Sequence, residues 1–231
     1  MRILAFICCL LPLSLSAQEK KGERTCRVLF LGAAASDPET LFLHDGTAAT
    51  EVELPRMNLS KVYEVPSGAI TLRMLTAAPA KDQPVPAGAP SATVAETVGD
   101  FYLVLSPDPT NKTVPVRMQI IDATAERFKA GQMQWFNLTP NDVAGTVGKQ
   151  KLVLKARSKV ITDAPASAVE PYHVSLNFRI PGKEANYPLC ETQWNHDPAA
   201  RTLLFVINEG GSRTPRVLGF PDHRTTSGKN P

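Results

Sequence analysis

The side chains able to carry catalysis are few and dispersed. The four histidines, His44, His173, His196 and His223, include no pair at the helix or strand spacing that a metal needs. His196 and Asp197 are adjacent, so on a strand they face opposite sides. Asp197-Pro198 therefore reads as a turn after Trp194 rather than as an acid–base dyad. A hydrolase built on His173 and His196 would require both rings near a carboxylate in a cleft. There is no Gly-x-Ser-x-Gly elbow, no phosphate loop and no His-Glu-x-x-His helix, and Gly148-Lys149 is followed by Gln150, not by the hydroxyl residue that holds magnesium. Asp37-Pro38-Glu39 lacks the ligand spacing of a calcium loop. The expectation is a non-catalytic chain without a metal site or cofactor.

Aromatic and sulfur residues offer other chemistry. Trp135, Tyr172 and Trp194 would form a flat platform for sugar rings if their faces met solvent. The competing reading puts both indoles in a core, since Trp135 stands beside Phe136. Of four cysteines, Cys8 and Cys9 fall in the N-terminal apolar run and Cys26 and Cys190 lie beyond it. In an oxidising compartment the latter two point to one disulfide, the alternative being two buried thiols. Closing so long a loop would be worth roughly 5 kcal/mol at most. Asn58, Asn111 and Asn137 each begin an Asn-x-Ser/Thr triplet.

These residues must be placed by a chain of 231 residues with 20 prolines and 14 glycines. Residues 1–17 read as a secretory signal: Arg2, an apolar run from Ile3 to Leu15, then small residues before a polar stretch. The run is shorter than the ~20 residues that span a bilayer, so no membrane span is expected once it is removed. A net charge of +3 is too small an excess to suggest nucleic acid.

Beyond the signal, short strands follow one another. Residues 18–24 form a charged lead-in. CRVLFL from Cys26, FYLVL from Phe101, MQWFNL from Met133 and RTLLFVIN from Arg201 are continuous apolar runs. EVEL from Glu51, AITLRML from Ala69, KLVLK from Lys151 and YHVSLNFRI from Tyr172 alternate and read as half-buried strands. Asp45-Gly46 marks a hairpin. No long amphipathic helix is present. The fold class expected is all-β, with one or two antiparallel immunoglobulin-like β-sandwiches. The spacing divides the chain into a first sandwich half at 25–76, a proline-rich linker or loop at 77–91, a second sandwich at 92–210 and a polar basic tail at 211–231. A short echo, Ser60-Lys61-Val62 against Ser158-Lys159-Val160, suggests a tandem repeat.

VYEVPSGAITLRML, KLVLKARSKVITDAP and LCETQWNHDPAARTLLFVI together resemble a group of uncharacterised secreted β-sandwich proteins of Verrucomicrobia- and Planctomycetes-type bacteria. The likeness runs over most of the chain after the signal. It implies a periplasmic or surface location and a sandwich fold, and it carries no activity to transfer. The function expected is a secreted or periplasmic binding or scaffolding module of the cell envelope, its partner another envelope protein or a glycan. A carbohydrate-binding module and a hydrolase of unfamiliar type are the alternatives.

Overall fold

The computed structural model describes residues 24–80, 83–209, 212 and 214–223. The segment expected to be a secretory signal, nearly all of the expected lead-in and the last eight residues lie outside them.

Sixteen strands and no helix make up the described residues. The first eight are β1 (Arg24–Phe30), β2 (Thr40–His44), β3 (Ala49–Glu53), β4 (Tyr63–Val65), β5 (Ile70–Leu75), β6 (Ser91–Val94), β7 (Phe101–Pro107) and β8 (Val116–Asp122). The next eight are β9 (Met133–Asn137), β10 (Asp142–Val147), β11 (Gln150–Leu154), β12 (Lys159–Thr162), β13 (Pro171–Arg179), β14 (Asn186–Asn195), β15 (Arg201–Ile207) and β16 (Arg216–Asp222).

The two sets share one topology. The first forms sheets β4-β1-β7-β8 and β3-β2-β5-β6; the second forms β12-β9-β15-β16 and β11-β10-β13-β14. Adding eight to each label converts the first pair of sheets into the second. The tandem repeat is therefore real at the level of strand order, and Ser60-Lys61 and Ser158-Lys159 both lead into the fourth strand of their set. The sheets are not purely antiparallel: β1 runs parallel to β7, and β9 to β15.

Burial explains the two kinds of sequence run. One core, including Val28, Phe30, Leu43, Leu72 and Leu103, joins the two sheets of the first set. A second, including Trp135, Val143, Leu152, Leu176 and Leu204, joins those of the other. A third cluster lies between the sets, where Leu29, Tyr102 and Val104 meet Phe136, Leu203 and Phe205. The sheets containing β1 and β9 are thus covered on both faces, which requires continuous apolar strands. The outer sheets face water on one side and keep the alternation seen in β13.

The division of the chain falls elsewhere than the proline content suggested. The residues between Leu75 and Ser91 connect β5 to β6, hydrogen-bonded neighbours in one sheet, so of the two readings of 77–91 the loop within the first sandwich is the one found. The change of sandwich comes between β8 and β9. The tail expected at 211–231 also needs correction, because Arg216–Asp222 is an edge strand paired along β15. Gly219 and Pro221 hid it by breaking the apolar pattern.

Charged groups seal the joins. The buried Arg24 guanidinium donates to the carbonyls of Pro66, Gly68, Ala95 and Glu96, closing one end of the first sandwich. Across the seam, the Asp222 carboxylate accepts from Arg27 at 2.5 Å, the Tyr102 hydroxyl at 2.6 Å and Arg201 at 3.3 Å. Arg201 also donates to the carbonyls of Ala123 and Phe128 in the connection between the sandwiches. Buried charges tolerate such a place only when paired in this way.

Candidate functional site

The residues expected to form a platform do come together, but inside the second core. Trp135 is fully buried between the sheets containing β9 and β13. Its ring stacks on Trp194 with centroids 6.2 Å apart, and Tyr172 meets Trp194 edge-on at 6.3 Å. Trp135 Nε1 donates to Thr162 Oγ1 at 3.3 Å. A large ring on a doubly covered strand fills the space between sheets, so no open indole pair is presented for sugar stacking. Trp194, on an edge strand, is half-buried.

Tyr172 is buried too, and desolvation pushes its phenol up to about 12 from an ordinary 10.0. Folding thus favours the neutral phenol. The associated stability is complete below pH 10 and falls as pH rises through the folded value. Tyr172→Phe should flatten the loss of stability between pH 10 and 12, measured by urea midpoints across that range. An unchanged alkaline limb would show that this phenol does not govern it.

Cys26 and Cys190 are not joined by a disulfide. Cys26 sits in the first core and Cys190 on β14 at the rim of the second, in separate layers of the stack. The long loop that made the bond attractive on entropy says nothing about proximity. Burial and neighbouring Glu191 push the Cys190 thiol pKa up, which keeps the thiol protonated.

The histidines are dispersed as well. His173 lies on the exposed face of β13, with Nε2 2.6 Å from Glu191 Oε1. Ser175 and His173 hold that carboxyl below its usual range. His196 is buried, its backbone N–H donating to the Glu170 carbonyl and its Nε2 without a hydrogen-bond partner. His223 bonds Asp197 on the surface. The paired rings in a cleft that a hydrolase would need are not found here, and no cluster of three metal-type ligands occurs among the described residues. Asn137 is fully buried and its amide donates to the carbonyls of Asn141 and Lys155, so in the folded chain it is closed to glycosylation.

The most open element is β14. It has ten residues, none buried, and forms the edge of its sheet. Its counterpart β6 has four residues and runs beside β8, closing the first sandwich on that side. β14 makes no comparable approach to β16. The backbone direction along β14 can be fixed from β13. His173 C=O accepts from Gly148 N, so the His173 peptide groups face β10. Tyr172 and Val174 then face β14 and pair with Trp194 and Thr192. By alternation, the N–H and C=O of Glu191, Gln193 and Asn195 point away from the sheet. The bulge at Leu176/Asn177 and Pro188 interrupt the other half of the strand. No lysine guards the outward row.

Compared with known proteins, the sequence matches no family model and no curated protein. The chemistry of the site thus rests on the geometry of β14 and of the polar face beside it. That face carries Asp142, which bonds both Lys155 and Arg179 at 3.2 Å. Nothing in the sequence marks this edge; pairing alone identifies β14 as a strand of its sheet without a second neighbour.

Proposed function

We propose that this protein is a secreted or periplasmic, non-catalytic binding or scaffolding module of the cell envelope. The observation that carries this reading is the outward row of β14 at Glu191, Gln193 and Asn195. An extended segment of another envelope protein would add there as a fifth strand, its backbone pairing with groups that water otherwise satisfies. Half-buried Leu189 and Trp194 would give alternate residues of that segment an apolar rim to cover. The N-terminal signal and the resemblance to secreted sandwich proteins support the location. The immunoglobulin-like character is proposed on the same footing, from the count and spacing of short strands.

Gln193→Pro tests the edge without touching the pairing to β13, because only an outward N–H is lost. Proteins retained from native envelope extract by the wild type should be lost by Gln193→Pro while circular dichroism is unchanged. Equal retention by the two, or no reproducible retention by the wild type, would overturn strand addition at this edge.

A further inference from the structure

The repeat supplies an internal comparison for the seam between the sandwiches. On one side, the connection from β3 to β4 lies near β16; there Leu59 is buried in the seam and Arg27 meets Asp222. On the opposite side, the corresponding connection from β11 to β12 approaches β8. The aligned residue before Ser158-Lys159 is Arg157, where Ser60-Lys61 is preceded by Leu59. Here the seam is open, forming a groove of about 590 Å³ lined by Gln119, Phe136, Leu138, Arg157, Ser158 and Lys159, with Asn137 beneath.

Three features give the groove a ligand preference. Its lining holds two cations and no carboxylate. Asp142, on neighbouring β10, is already bonded to Lys155 and Arg179. Leu138 stays 49% exposed although it precedes a tightly bonded turn, and Gln119 and Ser158 add amide and hydroxyl groups. Arg157 has φ 53, the one non-glycine residue at positive φ among those described. Glycine or asparagine ordinarily fills such a position, so a large cation is held there against a backbone cost.

We infer that this groove binds an anionic glycan, its carboxylates or sulfates meeting Arg157 and Lys159 and a ring face lying on Leu138. Hydroxyl groups of the sugar match Gln119 and Ser158. A cleft open to solvent suits a chain threading through it. This site is separate from β14 and uses none of its residues.

The test is calorimetric titration of the full mature chain with polygalacturonate, dextran sulfate and neutral dextran at low and moderate salt. Binding of at least one charged polymer is expected, weakening with salt, and neutral dextran should not bind. The two charged polymers distinguish carboxylate from sulfate as the group recognised. Arg157→Gly removes the cation and relieves the positive φ, so it should retain or raise thermal stability while weakening binding about tenfold, roughly the effect of one charge-assisted contact. Lys159→Gln should weaken it further. Binding unaffected by both substitutions, equal binding of neutral dextran, or no binding of either charged polymer would overturn the inference. None of these outcomes bears on Gln193→Pro, so the two readings fail separately.

Discussion

Asp222→Ala is expected to lower stability by about 3–5 kcal/mol, because it leaves two guanidinium groups in the seam without their anion. The Asp222 side chain is fully buried, and those of Arg27 and Arg201 are 19% and 4% exposed. The cost lies less in the lost attraction than in the charges left behind. Arg201 keeps its bonds to the Ala123 and Phe128 carbonyls and its place over the Tyr102 and Phe128 rings, so it cannot turn out to water without dismantling the connection between sandwiches. Denaturant unfolding should show a lower midpoint, with early proteolytic cleavage near residues 123–132. Asp222→Asn retains the shape and should fall between wild type and alanine. A midpoint within about 0.5 kcal/mol of wild type, the range of an ordinary surface change, would mean that the seam does not depend on this carboxylate.

Trp135→Ala should cost a similar 3–5 kcal/mol, the usual range for deleting a buried large aromatic. Among the described residues the ring is the largest fully buried side chain, and it stacks on Trp194 beside the β13 layer. Trp135→Phe should recover part of the loss. Trp194→Ala, at a half-buried edge position, should cost less than Trp135→Ala. Fluorescence supplies an independent reading: emission from Trp135, isolated in Trp194→Phe, should be blue-shifted and poorly quenched by acrylamide. Strong quenching together with a small stability change would return Trp135 to the surface and reopen the aromatic platform for sugars.

The layer arrangement was legible wherever burial dictates residue type. FYLVL and MQWFNL read as continuous apolar strands, and each occupies an inner sheet covered on both faces. YHVSLNFRI alternates, and β13 belongs to an outer one. The echo at Ser60 and Ser158 was three residues long, yet it marked equivalent points in two sandwiches of identical strand order. What failed was inference about distance in space. Proline density at 77–91 left linker and loop undecided, because a hairpin connection can hold as many prolines as a linker when neither needs backbone donors. Cys26 and Cys190 looked like partners because there were two of them, and a count carries no geometry. β10 and β16 went unread since Gly145 and Gly219 interrupt their patterns, and β6 because four residues are too few to show an alternation. The groove at Arg157 has only a faint sequence signal, an arginine where the other repeat has a leucine, and its meaning appears once the two seams are set side by side.

The order in which the seam closes has a consequence for synthesis. Leu29, Tyr102 and Val104 belong to the first sandwich, whereas Phe205 and Phe220, which help to cover them, come from the last two strands of the second. A chain emerging from its N-terminus therefore carries an adhesive face until β15 and β16 are made, and Asp222 arrives to neutralise Arg27 only 195 positions later. Dependence on a holding chaperone, and a tendency of chains truncated before β16 to aggregate, follow from that delay.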